Sequence, residues 1–352
     1  MPLINRIKTH AHISARLADF SDVELSQLVH GAKSMHSGIG GNSALLTLDD
    51  MHIFVKKIPI TALERLPKNF MSTANMFELP LVCQYGVGSP GFVAWREVVA
   101  HVITTDWVLS GECANFPLLY HFRILPAPDL ALNIAKELED IDSVVKFWDE
   151  SQAVRNRLEA MRDASDHIVL FLEYFPESLY KWFGTRLQAG GTEAAQAISF
   201  VEANLKATTD FMSARGFVHF DAHFENMLTD GRLVYLSDFG LTLSSKFDLA
   251  KEEIEFLNGH QTFDRCANIV YLMHGVITSM FGKDQWQLRL RNYINGDLEE
   301  FGELAPAIAT TIQKYGPIAL IMGDFFRSLE KDTRSTPYPA MELECLLTAI
   351  DR

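Results

Sequence analysis

Residues 216–240, GFVHFDAHFENMLTDGRLVYLSDFG, set the hardest condition on how this chain can fold. Asp221, Asn226 and Asp238 stand there among Phe, Val, Leu and Tyr. An acid in apolar surroundings is costly unless it is paired, hydrogen-bonded or bound to a cation. The segment therefore has to be core and site at once, and the rest of the chain has to supply partners for its polar groups.

At 352 residues the chain exceeds the size at which one core usually keeps growing, so two lobes are expected. With 48% hydrophobic and 22% charged residues it reads as an ordinary folded protein. No apolar run is long enough to span a bilayer, and MPLINRIKTHAHISARLADF lacks the apolar stretch of a signal peptide, so no membrane partner is expected. Cys83, Cys113, Cys266 and Cys345 are far apart and form no CxxC pair, which reads as reduced, mostly buried thiols in a cytoplasm. A net charge of −14 argues against nucleic-acid binding, which needs neutralising Lys and Arg.

Along the chain, SDVELSQLV has a capping-box start, with Ser21 and Glu24. HSGIGGNSALLTLDDMHIFVKKIPI reads as three strands joined by a glycine turn and a DD turn. FVAWREVVAHVITTDWVLSG has helical spacing and stops at Gly111. FPLLYHFRILP and HIVLFLEYFP read as strands, with a polar, helix-favouring insertion at about 126–165 between them. Beyond Glu173–Pro176 the character changes. Ile198, Val201, Leu205 and Met212 mark a helical face, strand-like pieces return around Asp230-Gly231, and the remainder from about residue 248 looks helical. CANIVYLMHGVITSMF is apolar nearly all round and reads as a buried helix. The expectation is an α+β chain with a strand-rich first part, 1–175, and a mainly helical second part, 176–352.

Phosphoryl transfer from a nucleotide needs something to cover the phosphates, a cation to reach them, carboxylate or amide oxygens to hold Mg²⁺, and a carboxylate to orient the attacking hydroxyl. The chain offers these in a workable order. His219-x-Asp221-x4-Asn226 fits H-x-D-x4-N, and Asp238-Phe239-Gly240 fits D-F-G shortly after it. In these motifs the chain resembles the protein kinase-like superfamily, and in character the aminoglycoside and choline kinase-like enzymes. The resemblance spans roughly residues 36–245 by motif order and implies a two-lobed, protein kinase-like fold.

It also implies Asp221 as the catalytic base, Asn226 and Asp238 as Mg²⁺ ligands, and His219 as a prop of the loop. SGIGGNSALL would cover the phosphates of ATP, with Gly38, Gly40 and Gly41 letting the backbone approach without a Cβ; Ser43 stands where a third glycine would be. A plain hairpin turn is the other reading of that stretch. Lys56 and Lys57 point to opposite faces of a strand, so only one can reach the phosphates. Lys56, in IFVK, is preferred, with Glu97 on the next helix as its partner. Glu173 to Phe175 lies where the family's adenine-binding hinge runs.

The chain departs from protein kinases in three places. His223 replaces the lysine that follows the catalytic Asp by two residues, no A-P-E follows D-F-G, and the insertion between the strands is long. These departures favour a small-molecule hydroxyl acceptor over a protein substrate. A Ser/Thr protein kinase with an atypical activation segment, a nucleotide-binding scaffold without turnover, and transfer of AMP remain the alternatives. Glu299, Glu300 and Glu303 could meet a cationic acceptor, although such a run is more often a solvated face. His10, His12, His30 and His36 lack zinc-site spacing, and neither a Walker motif nor a G-x-S-x-G elbow is present.

Overall fold

The computed structural model describes residues 1–38, 41–127, 136–299, 301 and 304–352. The chain is α+β and forms two units, Met1–Phe175 with Asp238–Ile254, and Pro176–Ser237 with Glu255–Arg352. The break after Phe175 falls where the sequence changes character. Residues 238–254, however, which the sequence reading leaves in the second part, belong to the first unit. Polar bonds account for this. Arg96 is fully buried and pairs with Glu253. Thr73 Oγ1 accepts from the Asp248 amide at 2.7 Å, and Gln84 donates to the Leu241 carbonyl.

In the first unit, α1 (Leu3–Asp19) and α2 (Asp22–Gly31) precede three strands, β1 (Lys33–Gly38), β2 (Gly41–Leu48) and β3 (Met51–Ile60). The Ser21–Glu24 capping box is formed at the start of α2. Then come α3 (Ala94–Leu109), β4 (Leu119–Pro126), α4 (Lys136–Glu139), α5 (Ile141–Phe147), α6 (Gln152–Arg162) and β5 (Asp166–Glu173). The five strands form one antiparallel sheet in the order β1-β2-β3-β5-β4.

Strand alternation divides the side chains of the sheet between two faces. Ile58 and Ile60 of β3, with Ile168, Leu170 and Leu172 of β5, pack on Ala94, Trp95 and Val98 of α3. The start of α3 is fixed by Glu64, whose carboxylate accepts the Ala94 amide at 2.6 Å and pairs with Arg157 of α6 at 3.1 Å. The helix-favouring insertion forms three helices among the described residues. Asp140 caps α5, left-handed backbone at Asp149 and Glu150 breaks the chain, and Ser151 caps α6. Their apolar faces, including Ile141, Val145, Leu158 and Met161, close on Leu79, Cys83 and Phe92. A short strand, β10 (Leu243–Ser244), lies in the returning segment.

The second unit begins with β6 (Glu177–Ser178), α7 (Leu179–Ala189), α8 (Gly191–Ser213) and β7 (Phe217–Val218). β8 (Met227–Thr229) and β9 (Val234–Leu236) pair antiparallel and form a three-stranded sheet with β6. The chain re-enters this unit through α9 (Lys251–Gly259) and ends in α10 (Phe263–Phe281), α11 (Trp286–Ile294), α12 (Pro306–Lys331) and α13 (Ala340–Ile350). Most of α10 is buried, including Cys266, Met273, Val276 and Ile277, but Tyr271, His274 and Thr278 line a pocket.

Among the described residues no helix is long and apolar enough to cross a membrane. All four cysteines are free. Cys83 and Cys266 are buried, Cys113 is half-buried and Cys345 is exposed, so the thiols are less uniformly buried than the sequence reading expects.

Candidate functional site

The first unit brings together Lys56, Glu97 and Asp238. Alternation on β3 turns Lys56 toward α3, where Glu97 stands in the first turn. Lys56 Nζ donates to Glu97 Oε1 at 2.6 Å and to Asp238 Oδ1 at 2.8 Å. Lys56 and Glu97 are almost fully enclosed, whereas the Asp238 side chain is 40% exposed. Burial alone would lower the pKa of Lys56, but the Asp238 and Glu97 carboxylates outweigh it, and the ammonium is held well above its ordinary range. Burial pushes Glu97 up, and Lys56 pulls it back toward the charged form.

Asp238 has left-handed backbone, φ 65°, uncommon outside glycine, although Asp adopts it more readily than most residues. The next residue, Phe239, is fully buried against His101 of α3, with ring centroids 4.7 Å apart, and near Phe116. That burial anchors the turn that carries the carboxylate. A Cβ on Gly240 would stand in ordinary van der Waals contact with Glu97 Oε2 and Asp238 Oδ1.

Gly41 has a structural reason of its own. Its φ is +114°, and a Cβ there would run into the Lys57 carbonyl across the β2–β3 pairing. Gly38 ends β1 opposite Gly41. Gly40 lies outside the described residues. Glu173 ends β5 with its amide donating to the Leu118 carbonyl at 2.8 Å, and its carboxylate accepts from Arg6 and from the Leu118 amide. Its side chain is thus a structural anchor. Phe175 has Arg6 6.0 Å from its ring centre.

The second unit holds Asp221 and Asn226 in one loop. Asn226 Nδ2 donates to Asp221 Oδ2 at 3.0 Å and to the Asp221 carbonyl at 3.1 Å. Asn226 Oδ1 accepts no hydrogen bond among the described residues, so the amide orients the acid with one end and offers an oxygen with the other. The Asp221 amide donates to His219 Nδ1 at 3.3 Å. The imidazole proton is therefore on Nε2, which donates to the Ser237 carbonyl at 2.9 Å. His219 thus ties the loop to the end of the strand pair, as a buried prop.

Asp264, in the first turn of α10, belongs to this group but is not singled out by its sequence. Its carboxylate accepts the amides of His219 at 2.7 Å and Phe220 at 2.9 Å. Phe220 is left-handed, φ 63°, a state that costs about 1–3 kcal/mol. The two bonds hold the backbone in that state, immediately before Asp221. Burial pushes Asp264 up to about 6, and the two backbone amides oppose that shift.

His223 and Tyr271 border a pocket of about 740 Å³ within the second unit. Tyr180 and Trp286 supply aromatic wall, and Lys181 and Lys283 supply positive charge. Lys283 Nζ lies 5.8 Å from the centre of the Tyr180 ring. His223 Nε2 is 3.9 Å from Asp221 Oδ1, which places the acid beside this pocket. Glu299 is not among the lining residues, and Glu300 and Glu303 lie outside the described residues.

Among the described residues no group of three or more His, Cys, Asp and Glu side chains could hold a metal ion by itself. Comparison with known proteins returned no matching family model and no matching curated protein.

Proposed function

We propose that the protein is an ATP-dependent phosphotransferase with a two-lobed, protein kinase-like fold, moving the γ-phosphoryl group to the hydroxyl of a small molecule. One observation carries the reading. The strand lysine, Lys56, donates both to the helix acid, Glu97, and to the acid of the D-F-G sequence, Asp238. A purely structural ion pair would need one carboxylate; here a second, exposed one is held on the same ammonium. The five-stranded antiparallel sheet with α3 on one face, and the helix-dominated second unit, agree with such a fold.

The donor set fits Mg²⁺ with a nucleotide. This ion takes hard oxygens, commonly one or two carboxylates or an amide, and completes its shell with phosphate and water. The first unit offers the exposed carboxylate of Asp238 as a donor, and the second unit offers Asn226 Oδ1, which accepts no hydrogen bond among the described residues. When bound, the metal would neutralise charge on the phosphates. Lys56 would place a fixed positive charge on phosphate oxygen. Asp221, oriented by Asn226 Nδ2, would accept the proton of the acceptor hydroxyl, while Asp264 and His219 keep its loop in register. The acceptor would occupy the pocket beside His223. The lining of that pocket carries two lysines, Lys181 and Lys283, against one acid, Glu225, a balance that favours neutral or anionic alcohols over amino-alcohols.

The test is a screen of ATP turnover, with product mass measured, against sugars, hydroxy-acids, amino-alcohols, aminoglycosides and protein substrates. A phosphorylated small molecule is the expected product. A phosphorylated protein would make this a protein kinase, and an adduct heavier by AMP would make it a nucleotidyltransferase. Mg·ATP binding without turnover on any of them would leave a nucleotide-binding scaffold.

A further inference from the structure

We propose that the first unit carries a second ligand site, on the sheet face opposite Lys56, for a small carboxylate with an apolar body. The alternation that turns Lys56 toward α3 turns Lys57 the other way. There it lines a pocket of about 580 Å³, walled by Val23 and Val29 of α2, Leu125 of β4 and Val169 and His167 of β5. That volume is in the range of small-molecule sites.

Two unmatched polar groups give the pocket its chemistry. The Lys57 ammonium makes no hydrogen bond or ion pair among the described residues. His167 is only 9% exposed, and its Nε2 has no hydrogen-bond partner among the described residues. Buried polar groups are almost always satisfied, so an orphan at a pocket wall points to a missing partner. Burial, reinforced by the neighbouring Lys57 charge, holds His167 down at about 4, so its ring is neutral near pH 7. A neutral imidazole can donate one N–H, and an ammonium up to three. A carboxylate can accept from both, and on an apolar body it also suits the valine and leucine part of the wall.

The remaining charges agree. Asp22, the acid at the rim, is already paired with Arg123 at 2.6 Å, and His30 is the other titratable lining group. Among the described lining residues no other acid is present to repel an anion. Val23, Val29, Leu125 and Val169 give part of the wall an aliphatic surface, and Val23 remains 67% exposed, apolar surface that a hydrocarbon body would cover. The site uses none of the residues assigned to phosphoryl transfer, so it stands or falls independently of that reading.

Calorimetry with decanoate, without nucleotide, tests it. Decanoate should bind, while decanol and decyltrimethylammonium should bind at least about tenfold more weakly, because a charge-assisted bond to lysine is lost or reversed. Lys57→Met should weaken decanoate by about ten- to a hundredfold, the range for a hydrogen bond to a charged group. His167→Phe should weaken it less. Ser26→Trp, which fills the pocket from α2, should abolish binding with the melting temperature preserved. No binding of decanoate, equal binding of decanol, or full affinity in folded Lys57→Met overturns the proposal. If Lys57→Met does not fold, the wild-type comparison of decanoate with decanol decides.

Discussion

Arg6 grips the carboxylate of Glu173 with two nitrogens, Nε at 2.9 and 3.1 Å and Nη2 at 2.7 Å. The same guanidinium donates to the carbonyls of Ala114 at 2.7 Å and Phe116 at 2.5 Å. Both side chains are buried. Removing one member of such a pair strands the other charge, at a cost of about 3–5 kcal/mol. Arg6→Ala should lower unfolding free energy by that amount in urea titrations. Arg6→Lys should recover only part of it, since an ammonium cannot span both oxygens and both carbonyls. A loss below about 1 kcal/mol for Arg6→Ala would show that α1 is dispensable to the sheet.

Lys56 and Lys57 should behave as different residues. In the proposed enzyme Lys56→Met should lower turnover by about two to three orders of magnitude, the effect of losing one charge aimed at the reacting group. Lys57→Met should be at least about tenfold milder, because alternation keeps it off that face. Lys56→Met also leaves Glu97 buried without its partner. Adding Glu97→Gln should restore melting temperature without restoring turnover. Recovery of turnover in the double variant would assign Lys56 a purely structural part.

Asp221 and Asp238 should separate on two measurements. Asp221→Asn keeps shape and removes the charge that accepts the proton, so single-turnover transfer should slow by about two to four orders of magnitude with ATP affinity retained. Asp238→Ala should instead abolish the Mg²⁺ dependence of ATP binding. Equal ATP affinity with and without Mg²⁺ in the wild type would remove Asp238 and Asn226 from the metal role.

His260 gives a pH dependence of known sign. It stacks on Phe256 and Tyr338, with Nδ1 2.6 Å from the Phe256 carbonyl. Burial holds it down at about 4, against an ordinary value of 6.5, and its bond to Phe256 opposes the shift. Between those values the unfolded chain takes up a proton that the folded chain refuses, so stability falls as pH falls. Full depression would cost up to about 3 kcal/mol across the window. Asp264, raised, tilts the other way, losing its contribution as pH rises through about 6. The difference between wild type and His260→Phe isolates the histidine. Wild-type stability should drop faster from pH 6.5 to 4, and parallel curves would refute the assignment.

The parts of this architecture that follow local rules are legible in the sequence. Strand alternation separates Lys56 from Lys57, the Ser21–Glu24 box starts α2, and Glu97 falls in the first turn of α3 because the apolar spacing begins just before it. Features that depend on distant partners are not legible. α1 escapes notice because its buried face is built around Arg6, with Ile13 and Leu17, and a buried guanidinium breaks the apolar period. Asp264 is hidden at the head of a helix that reads as core. The return of residues 238–254 to the first unit rests on Glu253 finding Arg96, a pairing that no local spacing announces.

That return has a consequence for how the protein is made. A chain emerging from the ribosome completes all five strands of the large sheet by residue 173. At that moment Arg96 has no Glu253 and Lys56 has no Asp238, because the stretch 176–237 must be synthesised first. The first unit therefore cannot close its ionic interior until the first segment of the second has left the tunnel. The earlier-born half waits on the later one, and a fragment ending at residue 175 would carry Arg96 without its carboxylate and Lys56 with Glu97 alone.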